Sequence, residues 1–239
     1  MRRWVGPVVA LSAIAASGVS GQEDQPGPRG FFSVALITAT PQGDFASQIE
    51  QGYGIQAGAK YHPDPDGIVS LWADFGFLNY GRERFSVCST ISCRLTLDLY
   101  TTNNIFFAGG GPEVRLSSGA FQPYVKAGLG LGYFWTQTSL SGSDSHDDFA
   151  RTENFRDAFL QWRAGGGLRT RVKGGRAPVY LDFGAEYHGN GIVEYLREGD
   201  ILDHPDGSIA IFPNRSEANL VTFRLGVSIG ISRRRRGYP

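Results

Sequence analysis

The sequence predicts an all-β chain, an eight-stranded antiparallel up-and-down β-barrel that crosses a membrane. Three observations carry this. Apolar and polar residues alternate in eight segments, and the connections between those segments are short and long in turn. Glycine accounts for 33 of 239 residues, about twice its usual share.

A strand sends successive side chains to opposite faces, so each segment can be read as two rows. In the first, Phe32, Val34 and Leu36 share a face. The second sets Tyr53, Ile55, Ala57, Ala59 and Tyr61 against Gly54, Gln56, Gly58 and Lys60. The third sets Val69, Leu71, Ala73, Phe75 and Phe77 against Ser70, Trp72, Asp74 and Gly76. In the fourth, Phe106, Ala108, Gly110, Val114 and Leu116 oppose Gly109, Gly111, Glu113 and Arg115. The fifth, FQPYVKAGLGLGYFW at 121–135, is the clearest: its odd positions are apolar and end in Tyr133 and Trp135. Its even positions carry Gln122, Lys126 and three glycines. The sixth sets Leu160, Trp162, Ala164, Leu168 and Val172 against Gln161, Arg163, Arg169 and Arg171. The seventh sets Val179, Leu181, Phe183, Ala185 and Tyr187 against Asp182, Gly184, Glu186 and His188. The eighth sets Val221, Phe223, Leu225, Val227, Ile229 and Ile231 against Thr222, Arg224, Gly226, Ser228 and Gly230. Most are long enough to cross a bilayer, which takes about 9–11 tilted residues.

Connections at 62–67, 117–120 and 174–178 are tight and rich in Gly, Pro, Asp and Ser, which suit turn geometry. Those at 41–52, 83–100, 137–157 and 189–219 are long and polar. Transmembrane barrels of bacterial outer membranes have short periplasmic turns and longer extracellular loops. An even strand number puts both ends of the barrel on the short-turn side. A soluble lipocalin-like barrel would use the same alternation the other way round, with the bulky row lining a calyx. The polar row speaks against it: glycines and long charged residues share one face, while Phe, Trp, Tyr and Leu share the other. Small and polar inward, bulky and apolar outward is the membrane arrangement.

The ends read as export and tail. Arg2, Arg3 and the apolar run that follows resemble a signal peptide with a cleavage site after residue 21. Residues 22–30 form a flexible polar lead, 31–232 the barrel, and 233–239 a basic tail expected to be solvated. Formal net charge is zero, which offers no electrostatic footprint for nucleic acid. Cys88 and Cys93 sit in SVCSTISCR, where an oxidising compartment favours a local disulfide. No further Cys or His is spaced to build a metal site with them, and no cofactor is expected.

With these residues in hand, the chain resembles the small outer-membrane β-barrel superfamily, the OmpA/OmpX-like eight-stranded type. TPQGDFA at 40–46, PYVKAGLGLGYF at 123–134 and the last strand from Leu220 carry the likeness, which spans about residues 31–232. The resemblance implies an outer-membrane location, contact with outer-membrane lipid and lipopolysaccharide, and a monomer. Such barrels usually finish on a terminal aromatic; here the last strand finishes at Ile231-Ser232 and RRRRGYP follows.

Eight strands enclose a lumen just wide enough for side chains to fill. Counted from the turns, Asp74, Glu113, Lys126, Arg163, Glu186 and Arg224 fall near its middle, three acids and three bases. A turn centred on Gly174 and Gly175 sets Arg163 opposite Glu186. Opposite charges offset each other's desolvation, so the set reads as a polar plug. A narrow channel for small solutes is the other use of such a set, and an apolar conduit is disfavoured by the charges. Catalysis is not expected: none of His62, His146, His188 and His204 is followed two residues later by Ser, the arrangement of the lipid A-modifying barrels. The acidic group Asp144, Asp147 and Asp148 lacks the spacing of a calcium loop. Function then falls to the long loops, with an extracellular protein or other surface partner. In the longest, Ile209 to Phe212 could extend a hairpin and present an edge.

Overall fold

The computed structural model describes residues 28–64, 66–88, 96–142, 148–204 and 208–231. The signal peptide, nearly all of the polar lead, the basic tail, Cys93, Asp144, His146 and Asp147 lie outside them, as do the side chains of Cys88 and Asp148.

Eight strands close into a ring: β1 (Gly30–Pro41), β2 (Gly52–Tyr61), β3 (Val69–Cys88), β4 (Thr96–Arg115), β5 (Phe121–Gly142), β6 (Asp148–Lys173), β7 (Val179–Gly189) and, last in the chain, β12 (Leu220–Ile231). Every neighbouring pair is antiparallel, and β12 closes the ring between β7 and β1. Closure gives the backbone of each spanning strand a partner on both sides, which lipid requires.

The strands are of two lengths. β1, β2, β7 and β12 have 10–12 residues. β3 to β6 have 20, 20, 22 and 26. At about 3.3 Å per residue, the excess of the long strands lifts a four-stranded sheet some 25–30 Å past the rim. The connections expected at 83–100 and 137–157 are therefore mostly strand. Their sequences, such as LYTT at 99–102, hold β-forming residues with water on both faces, so polarity reads as loop while the ladder continues.

The two other long connections fold over the loop-side mouth. After β1 the chain turns through a short 3-10 helix (Gly43–Ser47). Between β7 and β12 lie β8 (Ile192–Tyr195), β9 (Ile201–Asp203), β10 (Ile209–Ile211) and β11 (Asn214–Glu217). β8 pairs with β11, and β9 with β10. The segment at Ile209 is thus paired within its own loop rather than extending a barrel hairpin.

Candidate functional site

The outward row is apolar over the height of the ring. Leu36 is 68% exposed, Leu129 74% and Leu160 79%, and Phe32, Phe75, Trp162, Phe183 and Leu225 are also largely uncovered. Tyr53, Phe77, Tyr133, Trp135, Trp162 and Tyr187 form the loop-side border of this belt, with Trp162 and Tyr187 rings 5.2 Å apart. Amphipathic aromatics at the edge of an apolar band are the membrane-interface arrangement.

The inward row brings five cations and four carboxylates together in the turn-side half of the lumen, in two linked clusters. In the cluster nearer the turns, Glu113 contacts Lys60 at 3.2 Å and Arg169 at 2.6 Å. Asp182 contacts Arg169 at 2.7 Å and Arg224 at 3.5 Å. The Tyr124 ring lies 3.9 Å from the Arg169 guanidinium, its hydroxyl donates to Asp182, and it accepts from Arg224. In the next cluster Asp74 contacts Arg163 at 2.5 Å and Lys126 at 3.3 Å, and Glu186 contacts both cations at 2.5 Å. Gln56 donates to Asp74, and Trp72 lies 4.1 Å from the Lys126 ammonium. Each carboxylate thus bridges two cations, which is what makes burial of Arg163, 1% exposed, tolerable. Glycine makes room across the lumen: a Cβ on Gly128 would stand 2.7 Å from the Trp72 ring, and one on Gly109 3.0 Å from Arg163. A pocket lined by Lys60, Asp74, Lys126, Arg169, Asp182 and Arg224 among others measures about 30 Å³. That is room for one or two waters.

His188 marks the boundary with the loop-side half. Its ring nitrogens face Gln161 and Thr222, both at 3.2 Å, and its ring meets Phe107 edge-on. Above it lies an apolar core: Ile37, Leu78, Ile105, Phe134 and Leu220 are buried together with Phe45 of the 3-10 helix and Val193 and Tyr195 of β8, bordered by Thr136, which donates to Asn103. Phe45 makes edge contacts with Tyr80, Phe134 and Tyr195 at 4.9–6.1 Å. The Tyr80 hydroxyl donates to the Leu196 carbonyl, tying β3 to the longest loop.

All six residues singled out from the sequence, Asp74, Glu113, Lys126, Arg163, Glu186 and Arg224, point into the lumen, but they divide between the two clusters. The register of β6 and β7 differs from the one expected. Gly165 stands opposite Glu186 and Arg163 opposite His188, because the turn is centred near Arg176 rather than on Gly174 and Gly175, an offset that the slip between Arg171 and Lys173 only partly takes back. Arg163 reaches Glu186 diagonally, which the length of its side chain allows. Arg171, expected inward, is exposed at the rim. Lys60, Arg169 and Asp182 were placed on the inward face but not in the mid-lumen set. Counting from each turn ignores strand tilt and stagger, which bring unequal counts to one level. The Phe45 cluster was missed because the 3-10 helix carries no alternation. Among the described residues no group of His, Cys, Asp and Glu is arranged to hold a metal.

No family model matches the chain, and no curated protein matches it. Among solved structures it aligns with Neisserial surface protein A (NspA) at 12% identity and a TM-score of 0.42, over 84% of this chain and 97% of that one. It aligns with Ail, the attachment invasion locus protein of Yersinia pestis, solved with the heparin analogue sucrose octasulfate, at 12% identity and a TM-score of 0.44, over 85% and 98%. A major outer membrane protein from Thermus thermophilus aligns at 10% identity and a TM-score of 0.42, over 83% and 98%. The chain is similar to these small outer-membrane β-barrels.

Proposed function

We propose that the protein is a monomeric outer-membrane β-barrel with a plugged lumen and a non-enzymatic role, structural or in surface interaction, exercised by its loop-side end. One observation carries the reading: the large apolar side chains of the ring point outward, while the charges of its walls are paired inside. In water the outward belt would be a large exposed apolar surface; against lipid it is the favourable solvent face. A calyx for an apolar ligand has no support, since the interior that would line it holds nine charged groups and little space. The same packing supports a plug over a channel.

The four-stranded sheet above the rim is the surface offered to an extracellular partner. One edge, along β6 from Asp148 to Leu160, has no ladder partner beyond β5 among the described residues. Outer-membrane lipid and lipopolysaccharide are the surroundings of the belt below it.

The test is gel migration of the mature chain, boiled and unboiled, after refolding with and without detergent, followed by planar-bilayer recording. The expected result is a heat-dependent shift that requires detergent, with no conductance steps. A folded soluble monomer without detergent would overturn the membrane reading. Regular conductance steps would overturn the plug.

A further inference from the structure

We propose that one arc of the turn-side rim is a docking surface for the anionic phospholipid headgroups of the leaflet on that side. The inference rests on the membrane reading above and adds a lipid class to it.

The arc is built from chain ends that the barrel brings side by side. Arg29 enters β1, whose first residue, Gly30, pairs with Ile231 at the end of β12. The Gly230 amide donates to the Pro178 carbonyl at the end of the β6–β7 turn, and Lys173 pairs with Val179 across that turn. Arg171, Lys173 and Arg176 therefore lie on the same side of the rim as Arg29, along the run β6, β7, β12 and β1, and all four are exposed. Among the described residues none of the four forms an ion pair. The acids of this end, Asp64 and Asp66, lie on the β2–β3 turn at the border of the arc, where the His62 amide donates to the Arg29 carbonyl and Arg115 donates to the Asp66 carbonyl.

Position selects the occupant. Val172, Ile229 and Ile231, the last outward residues of their strands, belong to the apolar belt at 63%, 47% and 46% exposure. Lys173 and Arg176 follow Val172 by one and four residues, Arg171 adjoins it, and Arg29 precedes Phe32 by three, which puts the cations at headgroup depth. Basic residues just beyond an apolar span attract anionic lipid and act within a Debye length of the surface. A soluble anion would gain nothing from this continuity with the belt. The loop end is built differently, with cations beside acids: Arg84 with Asp98, Arg156 with Glu153 and Arg197 with Asp200.

The experiment uses the full mature chain, refolded in detergent and released from it in a native mass spectrometer with phosphatidylglycerol or phosphatidylcholine added. The expected result is several-fold greater retention of phosphatidylglycerol. That preference should fall toward unity in the combined variant Arg29→Gln, Arg171→Gln, Lys173→Gln, Arg176→Gln. It should weaken with salt and persist in the loop-end variant Arg82→Gln, Arg156→Gln, Arg215→Gln. Equal retention of both lipids, or a preference that survives removal of the arc, overturns the proposal. So does charge-dependent binding of a polyglutamate peptide without a lipid preference, which would reassign the arc to an acidic protein. Heat-dependent migration of each sample separates the two readings. A normal shift without lipid preference sinks the docking surface alone, and a missing shift in the unaltered chain sinks both.

Discussion

The turn-side and loop-side halves of the lumen are walled by the same strands and filled by opposite chemistries. Below His188, four carboxylates and five cations interlock around Trp72 and Tyr124. Above it, Phe45, Tyr80, Phe134 and Tyr195 pack as the core of a soluble domain would, roofed by a 3-10 helix and β8. The lower half is made only of wall residues, so its contacts tie strands of the wall together, most of them across the lumen between strands that are not ladder partners. The upper half depends on loops folding inward. Charge filling thus braces the spanning wall, and apolar filling fastens the loop end down. Each half has its own way to fail.

Removing one partner from the lower half is the largest expected effect. Replacing Arg163 with Leu leaves Asp74 and Glu186 with Lys126 as their remaining cation, and should cost about 3–5 kcal/mol in denaturant unfolding in detergent. Replacing Arg163 and Glu186 together with neutral residues should cost less, because no buried charge is then left over. Simple additivity in that double-mutant cycle would break the account of a braced wall. In the upper half, Phe45→Ala should cost about 3 kcal/mol, the low end for a buried phenylalanine, since the roof can partly settle. It should open the 41–52 and 189–219 connections to protease while leaving the heat-dependent gel shift intact. Loss of that shift would mean that the roof also holds the wall.

The difference between the halves also explains what the sequence reveals. The ring was legible because lipid and lumen impose a period of two on every spanning strand, as in Leu129 and Leu131 against Gly128 and Gly130. The carboxylates and arginines stood out because charge on the inward row has few explanations. Which charge meets which did not follow: a turn centred near Arg176 sets Arg163 opposite His188 instead of Glu186, and tilt brings Lys60 level with Glu113. The upper core was hidden for the opposite reason. Ile37, Ile105 and Phe107 are apolar on the inward face beside apolar outward neighbours, so alternation fades where both faces are dry. The raised sheet was hidden because both of its faces are wet.

Two smaller effects sharpen the comparison by pH. At the floor of the lower half, burial, with Lys60 adding, pulls the His62 pKa from an ordinary 6.5 down to about 4. The ring packs edge-on against Phe31. A neutral folded histidine stabilises fully above the unfolded pKa, and that stability is lost as pH falls from 6.5 toward 4. After discounting for partial solvent screening, the loss should be about 1–2 kcal/mol in unfolding between about pH 7 and 4. His62→Gln should flatten that slope, and an unchanged slope would place its origin elsewhere.

The smallest effect belongs to the raised sheet. The hydrogen bond from Arg84, then that from Ser86, holds the Asp98 carboxyl below the usual range, with Arg84 at 2.7 Å. A depressed carboxylate stabilises above its unfolded pKa and loses that stability as pH falls through the folded one. Acid should therefore loosen β3 against β4 locally, seen as faster amide exchange at 81–88 and 98–104 relative to the spanning strands. Arg84 is 57% exposed, so the pair is screened and the change modest. In Asp98→Asn the acid-dependent part should vanish. If exchange in that variant still rises with acid as in the unaltered chain, the sheet is held by its ladder alone, and its charges serve the surface rather than the fold.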